Sequence, residues 1–279
     1  MTTLDRRQIR RGFNRAVNSY DGVAVLQQRV GQNLLQRLEL LKITPTRILD
    51  LGCGTGTCLR ALEKRYPGAK VFGLDLALEM VRHAAARPWR RHRPVVAADA
   101  EVLPFADQSL DLVISNLMLQ WCDAERTCRE LRRVLAPGGV CLFTTFATDT
   151  LKELRASWQL ADPGQPHVSD FIDMHDLGDM LLQAGLTLPV VDADYYTLTY
   201  TDLNGLFADL KGLGAVNAAR DRRRGLCGKK RYQHLHRTYL QYRNADGRLP
   251  ATFEVAFGHA WAAEVADRST SVYVAMPER

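Results

Sequence analysis

Asp50, Asp75, Asp99 and Asn116 each close a short apolar run, and a glycine triplet, Gly52, Gly54 and Gly56, follows the first of them. Carboxylates and a carboxamide at strand ends are hydrogen-bonding groups gathered along one edge. In open α/β sheets that edge is where ligands bind, outside the carboxyl ends of the strands. Arg47 to Leu51 reads as a buried strand. Gly52-Cys53-Gly54-Thr55-Gly56 reads as a turn whose alternate glycines reach dihedrals closed to other residues and leave no Cβ in a ligand's way. The N-terminus of the following helix would favour an anionic group. Asp75, 25 residues beyond Asp50, offers two acceptor oxygens and no donor, which suits a pair of hydroxyls. Taken singly, each Asp would be read as a helix N-cap. Their joint spacing after a G-x-G-x-G turn points instead to a nucleotide-like ligand. Asp107 and Asp111 lack that spacing and read as turn residues.

Such residues need strands and helices in alternation to position them. Residues 46–51, 70–75, 94–98, 109–115 and 140–146 have strand character, while 56–66, 77–87 and 123–135 have helical periodicity. This alternation predicts an α/β, Rossmann-like fold, a mostly parallel sheet with helices on both faces. Beyond it come helices at 151–160 and 173–184, a strand at 186–199, helices at 202–213 and 229–242, and a last strand at 252–260. If the last two strands pair antiparallel, the helices between them form an insertion over the ligand face. Residues 4–41 carry two helices broken at Ser19-Tyr20-Asp21-Gly22, and these either cap the pocket or pack on the sheet. The expected organisation is one domain over 1–279: an N-terminal helical cap at 1–41, a Rossmann-like core at 42–200, a helical lid insertion at 201–250 and the last strand at 251–262.

At 279 residues, 46% hydrophobic and 24% charged, the chain has the composition of a folded globular protein, which excludes an intrinsically disordered one. No apolar stretch is long enough to span a bilayer and Met1 to Arg11 has no signal-peptide core, so a cytoplasmic location is expected. Six cysteines form no C-x-x-C pair and read as reduced thiols. His234 and His236, two apart on a helix, face different ways, and no metal site is expected. His167 and His175 read as loop and cap residues. The net charge of +6 is local, because residues 220–231 carry seven basic side chains against one acid. A local patch argues for one acidic partner, with a solvated loop as the plain alternative.

The glycine turn, with Asp50 before it and Asp75 at the end of the next strand, resembles the class I S-adenosylmethionine (SAM) methyltransferases, whose sheet has seven strands. Three further segments narrow the resemblance. Phe13-Asn14-Arg15-Ala16-Val17 with Ser19-Tyr20-Asp21, Ser115-Asn116-Leu117-Met118-Leu119-Gln120-Trp121-Cys122, and Leu210-Lys211-Gly212-Leu213-Gly214-Ala215 look like the malonyl-acyl-carrier-protein O-methyltransferases of biotin synthesis, over nearly the whole chain. The resemblance implies SAM as cofactor, S-adenosylhomocysteine as product, and cofactor contacts by Tyr20, Asp50, Gly52, Gly54, Gly56, Asp75, Leu76, Met80, Asp99, Ala100 and Asn116. The glycine turn would meet the methionine portion, Asp75 the ribose, Asp99-Ala100 the adenine and Asn116 the methyl-transfer centre, with Tyr20 closing over them. The implied substrate is the free carboxylate of a malonyl thioester, methylated so that fatty-acid enzymes can extend the chain towards the pimeloyl precursor of biotin. A carboxylic acid with a pKa of about 4 is already ionised at neutral pH, so no catalytic base is assigned. Arg15, Trp121 and Lys211 are the substrate candidates. The malonyl group would be carried by an acidic acyl carrier protein or by coenzyme A, and the carrier protein would dock on Arg220, Arg222, Arg223, Arg224, Lys229, Lys230 and Arg231, a run longer and richer in arginine than the family pattern.

Three rival readings share the core: a nucleic-acid methyltransferase, a SAM-binding scaffold without turnover, and a methyltransferase of quinones or free acids. Against the first, Asn116-Leu117-Met118-Leu119 lacks the N-P-P-aromatic run of many amino-group methylases, and no RNA-binding module is appended. Neither nucleic acid nor membrane is expected as a partner.

Overall fold

The computed structural model describes residues 4–86, 94–220, 222, 225 and 228–264. Strands β1 (Arg47–Leu51), β2 (Lys70–Asp75), β3 (Val95–Ala97), β4 (Leu110–Asn116), β5 (Leu135–Phe146), β6 (Leu186–Tyr200) and β7 (Leu249–Ala262) form one sheet in the order β3-β2-β1-β4-β5-β7-β6. The first five run parallel, and β7 lies antiparallel between β5 and β6. Strand order reverses between β1 and β4, so the glycine turn after β1 lies where a crevice is expected.

Alternation along the strands divides the core between two faces. Ile48 of β1 packs with Ile114 and Leu142 under α2 (Val25–Arg37) and α3 (Thr57–Arg65), whose Leu26, Val30, Leu34, Leu59 and Leu62 fill one layer. Leu49 and Leu51 point the other way, towards α5 (Ala124–Val134) and α7 (Met174–Gln183), which bury Cys128, Leu131, Leu177 and Leu181. Each such Leu or Ile contributes about 1.5–3 kcal/mol by leaving water. Helix α4 (Leu78–Ala86) follows β2, and α6 (Lys152–Ala161) follows β5.

The first helix differs from its expected bounds. α1 runs from Arg6 to Val23 straight through Ser19–Gly22, and the chain breaks at Ala24 instead. The Ala24 N–H bonds to the Tyr20 carbonyl at 2.9 Å, which closes the last turn. Asp21 and Gly22 are exposed there, where a helix tolerates them. Tyr20 therefore projects from the same helix as Phe13 and Arg6.

Between β6 and β7 stand α8 (Leu203–Gly212) and α9 (Lys229–Tyr239). α9 lies on α6, and α8 lies on α1. At that second crossing the backbones themselves meet. A Cβ on Gly214 would stand 2.8 Å from the Gly12 carbonyl carbon, and one on Gly12 would stand 2.7 Å from the Gly214 oxygen. Gly214 also has φ +72°, so both the dihedral and the space require glycine. The Lys211-Gly212-Leu213-Gly214 segment thus supports α1 from behind. Among the described residues no helix is long and apolar enough to cross a membrane.

Candidate functional site

A cleft of about 650 Å³, counting its mouth, opens at the carboxyl ends of β1, β2 and β4 beneath α1. Gly52 and Gly54 form its floor, Asp75, Leu76 and Met80 one side, Ala98 and Ala100 the far end, and Asn116 to Met118 with Trp121 the near end. Tyr20, Phe13 and Arg6 hang over it from α1. The glycine turn takes φ of +77°, +53° and +88° at Gly52, Gly54 and Gly56. A Cβ on Gly52 would collide with the Met118 side chain, whereas one on Gly54 would meet nothing within 4 Å. Gly52 is therefore needed for packing, and Gly54 leaves bare backbone facing open space.

Asp75 accepts from Gly54 N–H at 2.9 Å and from Ala77 N–H at 2.8 Å, one bond to each oxygen. Each oxygen keeps a lone pair for a ligand hydroxyl. Burial pushes its carboxyl up, and these two N–H groups restrain the rise. Asp50 is buried behind the turn and is not part of the cleft wall. Burial, with the Asp75 charge second, pushes its carboxyl up to about 8. Its Oδ2 has no hydrogen-bond partner. The bare backbone at Gly54 and the open lone pairs of Asp75 suit SAM, whose ribose offers a pair of hydroxyls. The residues present fit that cofactor.

Other expected contacts are placed differently. Gly56 starts α3 and does not line the cleft. Asp99 also stays outside the lining, because it accepts from Glu101 N–H at 2.9 Å and is ion-paired with Arg6. Arg6 reaches Glu101 as well, at 2.8 Å, and so bolts α1 to the end where Ala98 and Ala100 lie. Asn116 lines the cleft, but its carboxamide is already used. Its Nδ2 donates to the Gln27 carbonyl at 2.9 Å and its Oδ1 accepts from Thr144 Oγ1 at 2.9 Å, which clasps β4 to α2 and β5. Tyr20 and Trp121 both line the cleft, and Phe13 meets Trp121 edge to face at 5.3 Å. Burial, then the charge of Asp75, raises the Tyr20 phenol far above its ordinary value, so it stays a neutral donor.

Arg15 and Lys211 do not reach this cleft. They face a separate cleft of about 1030 Å³, counting its mouth, between α1 and α8, together with Arg11 and Ser19. The reason is helical phase: Arg6, Ile9, Phe13 and Tyr20 share the cleft side of α1, while Arg11, Arg15 and Ser19 fall on its flank. In the basic run, Arg222 donates to the Ala219 carbonyl at 2.8 Å and pairs with Asp5 at 3.2 Å. Arg231 pairs with Asp162 at 3.3 Å. These two cations hold the chain together, while Arg220, Lys229 and Lys230 are exposed. Arg223 and Arg224 lie outside the described residues. His167 contacts Asp162 at 2.9 Å and stacks on Trp158, and His175 sits on its own cap residue Asp173 at 2.8 Å.

Arg6, Met118, Leu117 and Cys122 are site residues that sequence reasoning passed over. The last three lie inside the Ser115–Cys122 segment, whose pattern marks the region without distinguishing its members. Leu117 adopts φ +51°, a strained value for a branched side chain that turns the chain sharply beside the cleft. The Cys122 thiol is pushed up to about 12, by burial above all, and is no nucleophile.

A methyltransferase-domain family model matches residues 49–143. The YcgJ protein from Bacillus subtilis superposes with a TM-score of 0.58 at 18% identity, covering 84% of this chain and 100% of that one. A phosphoethanolamine N-methyltransferase 2 from Haemonchus contortus, solved in complex with SAM, superposes at 0.55 with 19% identity, over 90% of this chain and 57% of the other. The fold is that of the class I SAM-dependent methyltransferases. The malonyl-[acyl-carrier protein] O-methyltransferase of Methylovorus sp. is 46% identical over 268 residues, 92% of this chain and 89% of the relative. That of Halorhodospira halophila is 47% identical over 263 residues, 93% and 88% of the two chains. The chain belongs to the malonyl-[acyl-carrier protein] O-methyltransferase family.

Proposed function

We propose that this chain transfers the methyl group of SAM to the free carboxylate of a malonyl thioester borne by acyl carrier protein, giving the methyl ester that begins pimeloyl and biotin synthesis. Beyond family membership, the observation that carries this reading is the character of the cleft lining. Among the described lining residues Arg6 is the one cation, and two carboxylates already hold it. The acceptor end offers instead the Tyr20 hydroxyl and the Trp121 indole N–H, with no lysine or histidine beside them.

That lining suits an acceptor already ionised at neutral pH, as a carboxylate with a pKa of about 4 is. Such an oxygen needs alignment and a dry site, and no base. Neutral donors orient it while leaving more charge on the attacking oxygen than a guanidinium fork would. When bound, SAM supplies an electrophilic methyl carbon on a sulfonium sulfur. A carboxylate acceptor would bring no proton to remove, so these residues would have only to align its oxygen with that methyl. Gly54 and Asp75 hold the donor end, Trp121 and Tyr20 hold the acceptor, and Phe13 on α1 keeps water out. Cys122 stays protonated and takes no part in bond making.

The carrier protein is read as the acidic partner of the exposed cations Arg220, Lys229 and Lys230. The same reading places the enzyme in the cytoplasm, a reducing compartment that suits its scattered thiols. The test incubates the protein with methyl-labelled SAM and, separately, malonyl-carrier protein, malonyl-CoA, free malonate and RNA. Label in an alkali-labile ester on the malonyl thioesters is expected. Label confined to RNA or to free malonate overturns the reading.

A further inference from the structure

A second cleft, of about 1160 Å³ counting its mouth, adjoins the first and shares Cys122 with it. Its floor is Leu119, Gln120 and Thr145, at the carboxyl ends of β4 and β5, and its long wall is the segment 166–173. Leu4 and Ala219 roof it. Those two residues form an isolated antiparallel bridge, and the Asp5 N–H bonds to the Ala218 carbonyl at 2.7 Å. The roof is therefore a strap in which the start of the chain pairs with the segment leading into the basic run.

We propose that this second cleft is the channel for the uncharged, amide-bearing thioester arm of the acceptor. The malonyl end passes Cys122 into the first cleft, and the arm leaves under the Leu4–Ala219 strap. The assignment rests on the acceptor reading above. Three observations carry it. The first is adjacency: Cys122 belongs to both linings, so the two clefts flank one side chain.

The second is charge. The charged residues that line the channel are Asp170, Asp173 and Asp176, and no lysine or arginine is found among its described lining residues. A malonyl carboxylate lodged among three aspartates meets like charge, whereas a neutral amide chain does not. The channel thereby selects one orientation, with the anionic end forward in the cleft of Tyr20 and Trp121.

The third is where the channel leads. Ala219 of the strap is followed directly by Arg220. The chain just before the basic run is tied to the channel wall, where Asn217 Nδ2 donates to the Pro166 carbonyl at 2.7 Å, and the far end of the run is tied beside it, where Arg231 pairs with Asp162. Asp162 in turn contacts His167, which stacks on Trp158 at 3.7 Å. An acidic body joined to the far end of the arm would come to rest over those cations.

The test narrows the channel at one exposed and one half-buried position, with Thr148→Trp and Ser169→Trp. Turnover is measured with malonyl-CoA, which carries the full arm, and with malonyl methyl thioester, which carries none. Binding of pantetheine alone to the SAM-loaded protein is followed by saturation-transfer NMR, and SAM affinity and melting temperature serve as controls. The expected result is a fall of at least about tenfold in the ratio of kcat/KM for the full arm to that for the short acceptor, with pantetheine binding weakened to match. An unchanged ratio with unchanged pantetheine binding in both variants overturns the channel. Failure of the wild type to methylate any malonyl thioester, with pantetheine binding still lost in the tryptophan variants, overturns the acceptor reading and leaves the arm channel standing.

Discussion

Thr55 donates its hydroxyl to the Asp21 carboxylate at 2.6 Å, joining the middle of the glycine turn to the last turn of α1. The floor of the cofactor cleft and the helix over it are thus connected directly, beside Tyr20. A hydrogen bond to a charged group contributes about 1.5–3 kcal/mol where it is shielded from water. Thr55 is buried but Asp21 is exposed, so the lower end of that range applies. Thr55→Val is expected to weaken SAM binding by roughly tenfold, since about 1.4 kcal/mol is a factor of ten. Thr55→Ser keeps the hydroxyl and should bind as the wild type does. Titration calorimetry of the three proteins decides it, and equal affinity in all three removes the clasp from the binding mechanism.

The contact between Gly12 and Gly214 makes a different prediction, about how α1 is held down. Gly214→Ala places a methyl group 2.8 Å from the Gly12 backbone at a φ of +72°. Overpacking against backbone costs about 1–3 kcal/mol, and the left-handed dihedral adds to it. The variant should melt several degrees lower, and it should bind SAM more weakly although no atom of residue 214 lines the cofactor cleft. Gly54→Ala is the contrasting substitution: its Cβ meets no protein atom within 4 Å, so what it disturbs is the ligand and the φ of +53°. A Gly214→Ala protein that melts with the wild type would show that α8 does not fix α1.

Asp50 gives the fold a dependence on pH. Its carboxyl is pushed up to about 8 in the folded chain, against about 4 in an unfolded one. Between those values the folded state keeps a proton that the unfolded state has released, so stability falls as pH rises from about 4 to about 8 and levels off beyond. Asp50→Asn removes that slope. In the absence of SAM, the variant's melting temperature is expected to gain on the wild type steadily from pH 5 to pH 8.5. Parallel melting curves across that range would show that Asp50 is ionised in the fold.

The cleft beneath α1 was largely legible in the sequence because strand ends and glycine turns are local features. Gly52, Gly54, Asp75, Ala100 and Asn116 follow from short runs whose geometry depends on their near neighbours, and all of them line it. The substrate side was less legible, since it depends on helical phase and on long-range crossings. Arg15 and Lys211 line one cleft between α1 and α8, and about half a turn of α1 separates Arg15 from Arg6, which overlooks the other cleft. The partners of Asn116 lie on α2 and β5, far away in sequence, so its place could be read but its occupied carboxamide could not. Alternation marks 252–260 as a strand and leaves its pairing open, because its place between β5 and β6 depends on long-range contacts. Asp111, taken as a turn residue, stands inside β4, because its pairing with the start of β1 forms only once the sheet is assembled.

That misread residue yields the last prediction. Asp111 accepts from Thr46 N–H at 2.8 Å, Thr46 Oγ1 at 2.7 Å, Arg47 N–H at 2.9 Å and the Arg47 guanidinium at 2.8 Å. Burial alone would raise its carboxyl, but the Arg47 side chain, then Thr46, outweigh it and bring the group down to about 2. A carboxylate held low in the fold contributes stability that is present in full above about 4, its unfolded value, and is lost as pH falls towards 2. The latch sits at the amino end of β1, opposite the ligand edge. Asp111→Asn should therefore lower the melting temperature at pH 7 by a few degrees, lose less than the wild type between pH 4 and pH 2.5, and leave SAM affinity alone. A variant whose acid unfolding follows the wild type over that interval would show that the four hydrogen bonds do not depend on the charge, and that β1 is anchored by its parallel neighbours β2 and β4 instead.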